Sequence, residues 1–245
     1  MVLAYDGTEF SGFAAQRNRD DVRTVGGLLE QAIGKVVRHD VELTCAGRTD
    51  AGVHAWGQVV SFRAQPPVET ARVQSAVNAM LGPEIVVRSC DVAAPGFDAR
   101  HDARWRRYRY TIINRDVTDP FRDRFAWWIA EPLDLSTLRL AADVFVGEHD
   151  FATFCRKGPE GSSLTRRVLD SEWHDAGDGI LRYEIRANAF CWQMVRAVVG
   201  TLVEVGTGKR RPGDLLDVLR ARDRAAAGQL APPRGLCLWD VGYAP

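Results

Sequence analysis

The chain has 245 residues, 46% hydrophobic and 26% charged, with 32 Lys plus Arg balanced by 32 Asp plus Glu. This is ordinary globular composition, long enough for one sizeable core or two smaller ones. No apolar run reaches the length of about 18 residues that a transmembrane helix needs, so no membrane partner is expected. Met1-Val-Leu-Ala-Tyr-Asp carries no basic stretch leading into an apolar one, so no signal peptide is expected and a cytoplasmic location is the default. The five cysteines, Cys45, Cys90, Cys155, Cys191 and Cys237, are scattered and odd in number, with no CxxC or CxxH pair. The expectation is buried reduced thiols, with neither a disulfide framework nor a metal site. Zero net charge argues against a generally basic nucleic-acid surface, yet Arg100, Arg104, Arg106, Arg107 and Arg109 cluster with only Asp102 opposing them.

In chain order, Val2 to Tyr5 reads as a strand ended by the turn residues Asp6-Gly7-Thr8. Thr24 caps a helix whose apolar residues Val25, Leu28, Leu29, Ala32, Ile33, Val36 and Val37 recur at helical spacing. A strand over 41–46, a loop over 47–52 and a strand over 56–63 follow. A helix over 70–81 stops at Gly82-Pro83, and 85–92 is a further strand. The order β-α-β-β-α-β is the ferredoxin-like plan.

The second half reads as the same plan with insertions. It has a strand over 104–113, a helix capped by Ser136 and running to Phe145, and strands over 165–174 and 181–188 joined by Gly177-Asp178-Gly179. A helix over 191–205, a short helix over 212–222 and a last strand over 236–243 complete it, with loops expected at 116–132 and 156–163. The fold expected is α+β: two ferredoxin-like halves, 1–98 and 99–245, forming a largely antiparallel sheet. Helices lie on one side, with a cleft between the halves for an extended ligand.

Three segments carry candidate chemistry. Cys45-Ala-Gly-Arg-Thr-Asp-Ala-Gly-Val-His-Ala55 sets Arg48, Thr49 and Asp50 between glycines, which free the backbone to project a polar side chain. Spacing alone favours the plainer reading, a hairpin connection with Asp50 a turn former and Arg48 on the surface. On a strand, Arg104, Arg106, Tyr108 and Tyr110 share one face, suited to stacking on an unpaired base and contacting its phosphates. The plain alternative is an edge strand that solvates the surface. Arg196 stands beside the apolar face of a helix, where it either pairs with a carboxylate or snorkels to solvent.

Gly47-Arg-Thr-Asp-Ala-Gly-Val-His-Ala55 resembles the signature of the TruA family of tRNA pseudouridine synthases. Further segments match in order: Tyr5 to Gly12, Phe97-Asp-Ala-Arg100, Arg106-Arg-Tyr-Arg-Tyr110, Asn188-Ala-Phe190, Met194-Val-Arg196, Val199-Gly-Thr-Leu202 and Ala231 to Leu238. The resemblance covers nearly the whole chain. One departure is Phe13, where the family usually has tryptophan, a change expected to affect local RNA packing without touching the catalytic loop.

The resemblance implies conversion of uridine to pseudouridine at positions 38, 39 and 40 in the anticodon stem-loop of tRNA. The glycosidic bond breaks, the uracil turns and it rejoins through C5, a redox-neutral isomerisation that calls for no cofactor. Asp50 would be the nucleophile, Tyr108 a substrate contact, Arg196 the cation that keeps Asp50 ionised, and Arg48 a filler of the space left by a flipped base. A homodimer is also implied, as is an active site assembled across the two halves. The competing readings are a non-catalytic tandem ferredoxin-like RNA-binding protein and a carboxylate hydrolase. The latter needs a second carboxylate, and only Asp6 lies in a comparable loop.

Overall fold

The protein's structure, a computed structural model, describes residues 1–16, 22–156 and 163–243. The expected loop at 156–163 therefore falls, at 157–162, outside the described residues. By its internal contacts the chain divides into two compact units, Met1–Arg104 with Cys237–Pro245, and Trp105–Leu236. Each is mixed α+β and largely antiparallel.

In the first unit, β1 (Val2–Tyr5), α1 (Val25–Val37), β2 (Thr44–Cys45), β3 (His54–Ser61), α2 (Thr70–Leu81) and β4 (Ile85–Ser89) follow the expected β-α-β-β-α-β order. The sheet runs β4-β1-β3, with β1 antiparallel to both neighbours. Partners Leu3 with Gln58 and Val87, and Tyr5 with Ala55 and Ile85, all point to the buried face. Val25, Leu29, Ile33, Val37, Val73 and Val77 of the two helices are buried as well. Each such side chain contributes about 1.5–3 kcal/mol. Thr24 caps α1 as expected, its Oγ1 accepting the Gly27 N–H at 3.2 Å.

Three boundaries in this unit differ from the sequence reading. The strand expected over 41–46 shrinks to two residues, because the Leu43 N–H donates to the Glu30 carboxylate rather than to a ladder. β3 begins at His54, two residues early, where Tyr5 already pairs with Ala55. β4 ends at Ser89 rather than 92. The closing strand, β10 (Leu236–Gly242), runs parallel to β3, with Cys237 opposite His54.

The second unit holds β5 (Trp105–Asn114), β6 (Trp127–Ile129), α3 (Leu135–Ala142), β7 (Gly147–Asp150), β8 (Thr165–Asp175), β9 (Ile180–Ala187), α4 (Met194–Gly206) and α5 (Leu215–Arg220). Its sheet runs β5-β9-β8-β7, antiparallel throughout, and β6 adds to β5 in parallel. Tyr108, Tyr110, Tyr183, Ile185 and Trp173 form the buried face, while Arg107, Arg109, Glu184, Arg186 and Asp170 occupy the other.

Neither β6 nor β7 is visible in the sequence. β6 lies inside the expected loop 116–132 and is secured by the Asn114 amide, which donates to Ile129 O and Glu131 O at 2.9 and 2.8 Å. β7, Gly-Glu-His-Asp, has no apolar alternation and exists through its pairing with β8. Helix α3 is capped by Asp134, not Ser136, because Asp134 Oδ1 accepts the N–H groups of Ser136 and Thr137. It ends at Ala142 and passes into a 3-10 turn, Asp143–Phe145. Helix α4 starts at Met194 rather than 191, after Gln193 in the left-handed region (φ 65°). The helix expected over 212–222 is a 3-10 turn, Pro212–Asp214, followed by the short α5.

Candidate active site

The loop between β2 and β3 is fixed from beneath by buried polar groups. Thr49 turns inward and its hydroxyl is 2.8 Å from that of Tyr5. Gln58, wholly buried on β3, donates from Nε2 to Gly47 O at 2.6 Å and lies 3.4 Å from the Tyr5 hydroxyl. Buried polar groups that find partners in this way specify one backbone course. With Thr49 pinned inward, its neighbours alternate away from it, leaving Arg48 exposed and Asp50 half-buried. Sequence reasoning missed Tyr5 and Gln58. The signal available for Gln58 was an amide set between Gly57 and Val59 within a strand.

The N-terminal segment supports the same loop. The Phe13 N–H donates to Thr49 O at 3.0 Å, and the Gly52 N–H donates to Phe10 O at 3.2 Å. At Gly12 (φ 97°) a Cβ would stand 2.9 Å from Thr49 O, and at Gly7 it would stand 2.0 Å from Val53 O. Both positions require glycine so that two backbones can touch. Phe13 is buried, with its ring centroid 6.3 Å from that of Tyr5. The Phe13 departure from the family pattern, expected not to touch the catalytic loop, thus lies in the packing beneath it.

Asp6 reads as a turn residue. Its Oδ1 accepts from the Thr8 N–H at 3.0 Å and the Thr8 hydroxyl at 2.6 Å. His54 Nδ1 accepts the Gly7 N–H at 3.0 Å and lies 3.2 Å from Asp6 Oδ1. Cys45, at the start of the loop, is pushed up to about 11 by burial, against the opposing pull of the Arg48 and Arg100 guanidiniums. Among the described residues no group of three His, Cys, Asp or Glu is placed to hold a metal ion. No helix among them is long and apolar enough to cross a membrane.

In the second unit the basic aromatic strand divides between two faces. Tyr110 is wholly buried, and its hydroxyl donates to Pro232 O at 2.8 Å. Burial pushes that phenol far up, with the charges of Arg196 and Arg234 opposing. Tyr110 is therefore a core residue, not part of an exposed stacking surface. Tyr108 is 8% exposed and meets the edge of the Phe190 ring, centroids 5.0 Å apart at 84°. Arg106 donates to Asn188 O at 2.9 Å. On the opposite face Arg109 and Arg107 reach Glu184 at 2.6 and 3.7 Å. Strand β5 pairs with β9 from Arg106 to Ile113, and with β6 at Ile112 to Asn114.

Arg196 sits in the first turn of α4, half-buried. Its Nε donates to Ala231 O at 2.7 Å, while the Ala231 N–H donates to Arg196 O at 3.2 Å. The guanidinium is thus anchored to the segment leading into the last strand.

The cysteine expectation needs correcting. Cys155 and Cys191 are joined as a disulfide, with Cα atoms 5.8 Å apart. Their sequence separation of 36 gave no spacing signal. Cys45, Cys90 and Cys237 lie outside the disulfide; Cys45 is buried as expected, whereas Cys90 and Cys237 are only half-buried.

A family model described as tRNA pseudouridine synthase matches residues 1–102 and 141–244. A fold of this kind, with a Gly-framed Arg-Thr-Asp loop held on buried hydrogen bonds, is a pseudouridine synthase fold, and the chain belongs to the tRNA pseudouridine synthase family. Among its relatives, tRNA pseudouridine synthase A of Brevibacillus brevis is 42% identical over 242 residues, covering 99% of this chain and 98% of the relative. The enzyme of the same name from Leifsonia xyli subsp. xyli is 40% identical over 264 residues, covering 99% and 90%. That of Pseudothermotoga lettingae is 38% identical over 242 residues, covering 99% and 98%.

Proposed function

We propose that this chain isomerises uridine to pseudouridine in tRNA, at positions 38, 39 and 40 of the anticodon stem-loop, with Asp50 as nucleophile. The observation that carries the reading is the Gly47 to Ala55 loop, whose sequence matches the family signature and whose backbone is pinned through Thr49, Tyr5 and Gln58. Such pinning holds a reacting side chain without reorganisation during the reaction. A carboxylate in this position either attacks the ribose C1′ or removes a ribose proton, and both routes require it ionised. The freed uracil then turns and bonds through C5, with no net change in oxidation state.

Tyr108, Arg48 and Arg196 are assigned to the substrate. Tyr108 contacts the target base. Arg48, exposed beside Asp50, takes the place of the base that leaves the stack, a step costing a few kcal/mol. Arg196, fixed by its bond to Ala231, supplies a held positive charge. The reading extends to a homodimer acting in the cytoplasm, in keeping with the family resemblance.

Mapping pseudouridine in tRNA incubated with the purified protein tests this directly. The expected product is pseudouridine confined to positions 38–40. Modification elsewhere, or none, would overturn the assignment of the site on tRNA.

A further inference from the structure

We propose that Cys155 and Cys191 form a reversible dithiol–disulfide site that clamps the segment between β9 and α4 against Tyr108. The two cysteines join parts of the second unit with different anchorage. Cys155 follows Phe151 and Phe154, wholly buried rings that pack with Phe145 at centroid distances of 5.2 to 6.3 Å. That side is a rigid base. Cys191 belongs to the short connection 188–193. The connection is tied to the base by the Arg156 N–H, which donates to Trp192 O at 2.9 Å, and by the Arg156 guanidinium, 4.1 Å from the Trp192 ring centroid.

The connection carries two links to the candidate site. Phe190, immediately before Cys191, meets Tyr108 edge-on. Met194, three residues beyond it, starts the helix that bears Arg196, and its N–H donates to Cys191 O at 3.1 Å. A covalent bond at Cys191 therefore restrains the support of Tyr108 and the entry to α4 together. The inference rests on the reading of Tyr108 as a substrate contact.

The chemistry is thiol–disulfide exchange with a low-molecular-weight disulfide. Cys191, half-buried, is the accessible partner, and Cys155 is 3% exposed. The Cys191 thiolate attacks the small disulfide, forming a mixed disulfide and expelling one thiolate. The Cys155 thiolate then attacks the Cys191 sulfur, forming the internal bond and expelling the second. The two protein thiols give up two electrons and two protons, and the small disulfide becomes two thiols. Excess small thiol drives the same steps backwards. The Cα separation of 5.8 Å lies in the range that a disulfide bridges without moving the backbone.

The test equilibrates the whole chain in glutathione buffers from fully reduced to fully oxidised. Peptide mapping after alkylation then follows the cysteines, hydrogen exchange follows residues 188–194, and tritium release follows turnover on tRNA. We expect Cys155 and Cys191 to pair in oxidised buffer while Cys45, Cys90 and Cys237 stay alkylable. Exchange at 188–194 should be about tenfold faster in the reduced state. Turnover should differ between the two states in the wild type and not in Cys191→Ser, which lacks the attacking thiol and leaves only the buried Cys155. Both cysteines remaining alkylable in oxidised glutathione would overturn the proposal, as would a disulfide that leaves exchange at 188–194 unchanged. Reduced and oxidised protein that both lack turnover would instead overturn the functional reading, and mapping and exchange would still decide the disulfide.

Discussion

The Tyr5 and Thr49 hydroxyls lie 2.8 Å apart in the interior of the first unit, and through them strand β1 grips the loop that carries Asp50. Thr49→Val keeps the shape and removes the hydroxyl that stands 2.8 Å from the Tyr5 hydroxyl. The loss should cost about 1–3 kcal/mol of unfolding free energy in urea. Because the loop loses its register, turnover should fall about tenfold or more with little change in tRNA binding. Thr49→Ser, which restores the hydroxyl, should recover most of both.

Gly7 has no room for a methyl group. A Cβ there would stand 2.0 Å from the Val53 carbonyl oxygen, which is backbone and cannot swing aside. Gly7→Ala should destabilise the first unit by about 1–3 kcal/mol or more, seen as a lower urea midpoint. Gly96→Ala is the contrast. No atom lies within 4 Å of a Cβ there, so its cost is confined to backbone strain at φ 83°.

Cys45 makes alkaline stability and thiol reactivity depend on one buried group. Its thiol is raised from 9.0 to about 11 by burial, so folding favours the protonated form. That contribution, of order 2 kcal/mol, is fully present below pH 9 and is lost as pH rises through about 11. Iodoacetamide labelling of Cys45 should accordingly rise with a midpoint near 11. Cys45→Ala should flatten the fall in stability over the same interval. A labelling midpoint near 9 would mean that the thiol is not desolvated.

Tyr108→Phe keeps the ring and its contact with Phe190 and removes the hydroxyl. If the hydroxyl meets the substrate, kcat/KM for tRNA should drop about tenfold or more while thermal stability stays within about 1 kcal/mol. Tyr110→Phe should do the reverse, because its hydroxyl bonds only within the core, to Pro232 O. Stability should fall by about 1 kcal/mol with turnover retained.

How much was legible follows physical lines. Helices α1 and α2 could be read because Val25, Leu29, Ile33, Val73 and Val77 repeat at helical spacing and a threonine and a Gly-Pro pair bracket them. Strands β6 and β7 could not, because the distant pairing that makes them leaves no mark in Trp-Trp-Ile or Gly-Glu-His-Asp. Asp50 stood out only through its nine-residue motif, since a Gly-framed aspartate is also an ordinary turn. Spacing did put Tyr108 and Tyr110 on one face, but it could not show that the face is buried. The Tyr5–Thr49–Gln58 bonds and the Cys155–Cys191 pair join residues 11 to 53 positions apart, beyond any local pattern.

The central claim rests on the Asp50 carboxylate, and tritium release from tRNA labelled at uridine C5 tests it most directly. Asp50→Asn preserves size and polarity and removes the charge. The wild type should release tritium, and Asp50→Asn should release none while folding normally and still binding tRNA. Release by Asp50→Asn at the wild-type rate would contradict the account.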